Sequence, residues 1–336
     1  ASRIDAFTQF KFTYDKVDFY LSQSFARSSY QREGLYKNGY YPDNSFGKSE
    51  KKNFDNFGFK GGMTYKMTGQ HYFDFNGLYM TKAPNHKDVF PNARLNNSIT
   101  EDIKNETIKS VDASYVIRMP SFKARFTAYF NETENTTDIA FYYADNISVG
   151  NGEFVSEVVS GQNKRNKGLE AGLEYQITST IKATAVAAFG EYTYTNNPNL
   201  VIKADGVTND IFNGEAAMAG YKIAGMPQQA YSAGLEYRDP KYWWIGANVN
   251  YLSNNYLDVA PLMRTSKYIT DSDEANFPYD AALSASYLAQ EKFEAFTLVN
   301  LVGGKTWRIK EKTLGLFANV NNVFDIQYKT GGFEQA

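Results

Sequence analysis

The sequence predicts an all-β fold, an antiparallel transmembrane β-barrel with about twelve strands in view, and three observations lead there. Apolar side chains recur at every second position over runs longer than the roughly 5–6 residues of an ordinary soluble strand. Very short connections alternate strictly with long polar ones, the pattern of barrels with short periplasmic turns and long outer loops. The mean hydropathy is -0.50 although 16% of the residues are aromatic, and no apolar run approaches the roughly 18 residues of a membrane helix. Alternation reconciles these facts, because each lipid-facing residue of a barrel strand is matched by a wetter neighbour.

The first strand carries Ile4, Ala6, Phe10 and Phe12 on its apolar face and the second Val17, Phe19, Leu21 and Phe25, with Asp15-Lys16 turning between them. Phe57, Phe59, Met63, Tyr65 and Met67 follow, then a less regular run from Tyr72 to Met80 across Thr68-Gly69-Gln70. Val111, Ala113, Tyr115, Ile117 and Met119 precede Pro120-Ser121, and Phe122, Ala124, Phe126, Ala128 and Phe130 come after it. Leu169, Ala171, Leu173, Tyr175 and Ile177 lead through Ser179-Thr180 into the run Ile181 to Tyr194. Tyr231, Ala233, Leu235 and Tyr237 lead through Asp239-Pro240 into Trp243, Ile245, Ala247, Val249 and Tyr251. Phe293 to Ile309 reaches the last strand through Glu311-Lys312. Most of these connections are rich in turn formers. Between the pairs lie polar segments read as long loops: Glu33 to Asn53, Pro84 to Asn105, Thr133 to Gln162, Asn196 to Pro227 and Leu257 to Lys292.

The last run is the most regular. From Thr313 to Tyr328 the even positions are Leu314, Leu316, Ala318, Val320, Asn322, Phe324, Ile326 and Tyr328, while the odd ones are mostly small or polar. Successive side chains of a strand point to opposite faces, so this pattern predicts one long strand between lipid and water. Turn counting sends the first strand down into a short turn and brings the last strand up from one. Both chain ends are thus expected on the long-loop side, and the chain is expected to lack a closing strand after Ala336 and something before Ala1. All of residues 1–336 are read as one barrel domain, a piece of a larger barrel.

Composition excludes several functions. There is no Cys and only His71 and His86, which argues against a disulfide framework and a thiolate or histidine metal centre. Lys and Arg number 35 against 37 Asp and Glu, with no basic stripe for nucleic acid. Neither histidine accompanies a nucleophile motif, so the chain is not read as an enzyme, and no cofactor is expected. Asp271, Asp273 and Glu274 offer oxygen ligands but lack the glycine turn and distal glutamate of a calcium loop, and read as a solvated loop. Gly61-Gly62 and Gly303-Gly304, inside strands, suggest kinks or close approach of an internal plug.

The opposite faces of the strands carry Lys60, Lys66, Asp112, Arg118, Lys123, Arg125, Glu170, Glu174, Glu236 and Arg238, a lumen wall of mixed sign without a single steering field. Tyr14, Tyr65, Tyr175, Tyr237, Tyr242, Trp243 and Trp244 lie near the turns and read as the periplasmic aromatic girdle. Ligand contact is expected from the outer loops, where Tyr142, Tyr143, Tyr256, Tyr268 and Arg264 combine stacking surfaces with a polar clamp. Packing within the loops is the alternative role for these side chains.

The segment Asn319-Val-Asn-Asn-Val-Phe-Asp-Ile-Gln-Tyr-Lys-Thr-Gly-Gly-Phe-Glu-Gln335 resembles the penultimate strand and last loop of TonB-dependent outer-membrane receptors, particularly those of the Bacteroidetes. Gly168-Leu-Glu-Ala-Gly-Leu-Glu-Tyr175 and Gly234-Leu-Glu-Tyr-Arg-Asp-Pro-Lys-Tyr-Trp-Trp-Ile-Gly246 are similar to a mid-barrel strand and a hairpin of that family. The resemblance implies a barrel of about 22 strands filled by an N-terminal plug, of which this chain holds roughly the second half, without plug, TonB box or closing strand. It also implies residence in the Gram-negative outer membrane and active uptake of a peptide, glycan or metal chelate. The implied partners are outer-membrane lipid, the TonB complex acting on the plug, and a surface lipoprotein or other outer-membrane subunits. A passive channel or structural barrel within a larger complex is the alternative.

Overall fold

The structure, a computed structural model, describes residues 1–148, 151–205, 207, 209–265 and 281–334. Its strands are β1 (Ser2–Thr13), β2 (Val17–Tyr30), β3 (Glu33–Gly34), β4 (Gly47–Lys48), β5 (Lys52–Lys66), β6 (His71–Lys82), β7 (Glu106–Arg118) and β8 (Phe122–Ser148). They continue with β9 (Asn151–Gln176), β10 (Ile181–Tyr194), β11 (Asn199–Ala204), β12 (Phe212–Glu215), β13 (Gln229–Asp239), β14 (Trp243–Ser253), β15 (Phe296–Ile309) and β16 (Lys312–Val320). Twelve of them form one antiparallel path, β1-β2-β5-β6-β7-β8-β9-β10-β13-β14-β15-β16, each strand paired with the next along the chain. This neighbour-to-neighbour order is the up-and-down topology of a membrane barrel.

The tight connections fall where turn chemistry placed them, at 14–16, 67–70, 119–121, 177–180, 240–242 and 310–311. Two are built alike: the hydroxyl of Thr68 accepts from the N–H groups of Gln70 and His71 at 3.1 Å, and that of Thr178 from Thr180 and Ile181 at 3.2 and 3.0 Å. A hydroxyl that replaces a backbone acceptor holds such a turn shut.

The outward face is apolar and bare, with Leu21, Phe57, Leu169, Leu235, Ile245 and Leu314 all exposed. Aromatic pairs rim it at both ends. Phe12–Phe19, Phe73–Tyr115, Phe122–Tyr175 and Tyr237–Trp243 lie toward the short turns, and Phe25–Phe57 and Phe189–Tyr231–Tyr251 toward the long connections. Such girdles mark the two interfaces of a bilayer. Trp244 does not belong to them. It is register-paired with Arg238 and Gly304, and its ring carries the Arg238 guanidinium at 5.4 Å on the inward face.

The final run departs from its parity. β16 ends at Val320, and Asn322 and Asp325 adopt φ of +50°, a left-handed conformation that Asn and Asp tolerate best among residues with a side chain. The Asn322 side chain then accepts from the N–H of Ile326 and donates to its carbonyl, both at 2.9 Å, which locks a turn. Val323 donates to the carbonyl of Val299 at 2.8 Å and Tyr328 stacks on Phe296 of the same strand at 4.2 Å, so the residues after Val320 go on following β15 upward, but through a turn rather than as an extended alternating strand.

The segment Thr133 to Gln162 is not a loop. β8 and β9 run on through it as one long hairpin, with register shifts between Thr133 and Asp138. Stretches such as Asp138-Ile-Ala-Phe-Tyr-Tyr143 and Phe154-Val-Ser-Glu-Val-Val159 are aromatic and β-branched, and strand propensity outweighs their polar flanks. Within Asn196 to Pro227, β11 pairs both β12 and the upper part of β9. Gly62 of β5 and Gly304 of β15 each meet a ring of the adjacent strand. A Cβ on Gly62 would stand 2.4 Å from the Tyr20 ring, and one on Gly304 2.7 Å from the indole nitrogen of Trp244. Each glycine lets an aromatic ring from the adjacent strand lie flat on the sheet.

Candidate functional site

The inward face of β6 to β10 lines a concavity of about 930 Å³. Its walls are hydrogen-bonded in rows across the strands. Tyr20 donates to Asn76 at 3.2 Å and Asn76 to Asp112 at 3.0 Å. Arg125 donates to the Ser114 hydroxyl, which shares a 2.9 Å bond with Thr127, and the hydroxyls of Tyr129 and Tyr192 meet at 2.9 Å. Nearer the short turns, charges of alternating sign connect Lys123, Glu174, Lys182, Glu236 and Arg238, with contacts of 2.6 to 3.9 Å. The signs alternate, three cations to two carboxylates, so the wall presents hydrogen-bonding groups of both signs rather than a field of one sign.

Above the outer aromatic rim the β8–β9 hairpin divides the space. Gly161 at φ +71° and Asn135 at φ +60° form the irregular step at its base. Asn163 and Asn196 tie that step to its surroundings: Asn163 Oδ1 accepts from the N–H of Asn135 at 3.0 Å, and Asn196 Oδ1 from the N–H of Asn163 at 2.8 Å. On one face of the hairpin, Val155 and Val159 pack with Leu200, Ile202, Phe212, Met218 and Val259 into a core contributed by three connections. On the other, Ser156 and Val158 face the segment 91–101 across a narrow cleft. β9 is therefore buried on both sides from Val155 to Val159.

Glu157 lies within that stretch, 8% exposed. Burial, and secondarily the Asp138 carboxylate, pushes its carboxyl up to about 7. Tyr142 sits beside the same core, half-buried, and burial raises its hydroxyl to about 12.

A third concavity, about 650 Å³, opens between the hairpin and the connection that contains the short helix α1 (His86–Val89). Tyr30, Phe90, Phe141 and Phe154 supply rings, and Arg32, Lys87 and Arg94 supply cations. The Arg94 guanidinium rests 5.3 Å from the centre of the Phe154 ring and is held by Asp205 at 2.7 Å. Sequence reasoning missed this group because Tyr30, residues 86–94 and Phe154 are far apart in the chain. The aromatic spacing of Phe141, Tyr143 and Phe154 was the available signal.

The expected contact residues are distributed over these surfaces. Tyr143 is exposed and meets Phe154 edge-on at 5.4 Å, beside the aromatic concavity. Tyr142 projects from the opposite face of the hairpin toward the apolar core. Tyr256 pairs through its backbone with Lys292. Arg264 is 1% exposed, paired with Glu334, donating to the carbonyl of Leu288 at 3.1 Å and stacked over Tyr221 at 4.9 Å. Its guanidinium thus fastens one connection to the segment after β16. Tyr268, with Asp271, Asp273 and Glu274, lies outside the described residues. His71 bonds the Tyr115 hydroxyl at 2.7 Å near a short turn, and His86 opens α1.

The family model described as TonB dependent receptor-like, beta-barrel matches residues 2–323. Among solved structures, the copper transporter OprC superposes with a TM-score of 0.63 at 15% identity, over 98% of this chain and 43% of that one. The siderophore receptor PiuA from Acinetobacter baumannii gives 0.61 at 14% identity, over 95% and 38%. The FrpB iron transporter from Neisseria meningitidis (F3-3 variant) gives 0.60 at 14%, over 97% and 41%. The chain spans less than half the length of each of these structures. No curated protein matches the sequence. With twelve strands in up-and-down order, an apolar band between two aromatic rims, and a family model matching residues 2–323, the chain belongs to the TonB-dependent receptor β-barrel family of the Gram-negative outer membrane.

Proposed function

We propose that this chain is the wall and outer vestibule of a receptor that actively takes up an anionic metal chelate, one of the three nutrient classes expected from sequence. Energy would be delivered through the TonB complex to a plug within the complete barrel. The observation that carries the reading is the concavity framed by Phe154, Phe141, Phe90 and Arg94, where flat rings and guanidinium groups suit a planar, negatively charged ligand. The named structural neighbours include iron, copper and siderophore transporters, in keeping with that class.

The test uses full-length receptor in a strain lacking its own iron receptors, supplied with radiolabelled iron as a ferric tris-catecholate. Uptake should require TonB, and Phe154→Ala should raise the half-saturating concentration about tenfold, the effect of losing a stack and a cation–π contact worth roughly 1–2 kcal/mol. Uptake that continues without TonB would instead support the passive channel. Uptake of labelled peptide or oligosaccharide in place of the chelate would replace the nutrient class.

A further inference from the structure

We infer that Asp205 sets which chelates the aromatic concavity accepts, by pinning Arg94 against Phe154 and by cancelling one of the positive charges there. The inference rests on the reading of that concavity as the ligand site. Asp205 directly follows β11, and its N–H donates to the carbonyl of Phe154 at 2.9 Å. One connection is thereby clamped beside a ring of the β8–β9 hairpin. The carboxylate, only 16% exposed, engages a third segment with both oxygens: Oδ1 accepts from the Asn92 amide and Oδ2 from the Arg94 guanidinium, each at 2.7 Å.

This geometry decides how a ligand can approach. Tied at one end to Asp205, the Arg94 guanidinium lies over the Phe154 ring, and Tyr143 meets the same ring edge-on. The Arg94 side chain is still 59% exposed, so its open side can take an anion while the tether holds the planar donor in place.

Charge is the second effect. Of the three cations that line the concavity, Arg32 donates to the carbonyls of Ala93 and Ser45 and to Asn97 Oδ1, all neutral acceptors, and Lys87 has no ion pair among the described residues. Arg94 is the one that a carboxylate compensates. An anion that reaches Arg94 therefore meets Asp205 one guanidinium away, where like charges still repel through a partly screened medium. The repulsion grows with every negative charge on the ligand and vanishes for a neutral one. The site stays cationic, yet the gain from each further ligand charge is limited by a repulsive group set beside an attractive one.

The test measures retention of radiolabelled iron by energy-depleted cells that carry the full-length receptor, so that binding is read without transport. The probes are a trianionic ferric tris-catecholate and a neutral ferric tris-hydroxamate of similar size. Asp205→Asn keeps an acceptor for Arg94 and removes the charge; it should raise the affinity for the trianion about tenfold and leave the neutral probe unchanged. Asp205→Ala also releases Arg94 and should bring the trianion back to the wild-type affinity or below it. Asp205→Glu, with its charge retained, should show no gain. A merely structural aspartate could only lose affinity on substitution. Heat-modifiable gel mobility establishes that each variant is folded. No gain in Asp205→Asn, or the same gain in Asp205→Glu, overturns the charge effect, and equal gains in Asp205→Asn and Asp205→Ala overturn the pinning of Arg94; both leave the reading of the concavity standing. A wild-type receptor that retains no tris-catecholate overturns that reading and the role of Asp205 with it.

Discussion

The same two strands, β8 and β9, live in two different media, and the contrast explains how the chain is organised. Below Gly161 they have one face in lipid and one in the lumen, and Leu169 and Phe126 are exposed on the outside. Above it β9 is covered on both faces, and its Val155, Val158 and Val159 are nearly inaccessible. The lower part is held by ladder hydrogen bonds and by the membrane as solvent. The upper part needs a core of its own, which connections of three different origins supply. The irregular step at Gly161 and Asn135 is where one set of rules gives way to the other.

The strongest challenge to this division is removal of the Arg264 guanidinium. Arg264→Ala leaves Glu334 buried beside an empty site and should cost about 3–5 kcal/mol of local stability, read as faster amide exchange at 258–264 with the strands below unaffected. Exchange that rises throughout the barrel would show that the two parts unfold together. Arg264→Met with Glu334→Leu should recover most of the loss.

Acidity separates the regions next. Glu157 has a folded-state pKa raised from 4.5 to about 7, so its contribution is complete below the unfolded value and is lost as pH climbs from about 4.5 to 7. The loss, roughly 3 kcal/mol at 1.36 kcal/mol per unit, falls on the upper core. Glu157→Gln should abolish the pH dependence of exchange around Val155 to Val159, and a persisting dependence would assign it to another group.

On the lipid side, Leu316→Arg should destabilise the barrel by about 2–4 kcal/mol in urea titrations of vesicle-embedded protein. An unchanged midpoint would mean that this face is not in hydrocarbon. The smallest effect concerns the step itself. Gly161→Ala must adopt φ +71° and should lose about 1–2 kcal/mol, detected as a lower melting temperature of the upper region alone.

Sequence parity located nine of the twelve spanning strands because lipid demands an apolar row on one face, and the less regular runs Tyr72 to Met80, Ile181 to Tyr194 and Phe293 to Ile309 supplied the other three. The same rule failed above the step, where aromatic residues Phe141, Tyr142 and Tyr143 occupy both faces and period two carries no information. It also overran at the end, where Asn321-Asn322 was a turn signal inside an otherwise alternating run. The fate of Arg264 was illegible for another reason, since its partner Glu334 stands seventy positions away and no local pattern connects them. The site was legible only as a region. Tyr143 and Phe154 meet across the hairpin, but Arg94 joins them through a connection whose path no periodicity encodes.

The flat rings of Tyr20 and Trp244 over Gly62 and Gly304 give the bore a clearance that depends on missing atoms. An added methyl at either glycine would tip the ring edge toward the passage, so the mutation would act as a throttle. Strains carrying Gly62→Ala or Gly304→Ala should then show altered passage of bulky solutes while the barrel content of the membrane stays the same, separating the width of the conduit from the strength of its wall.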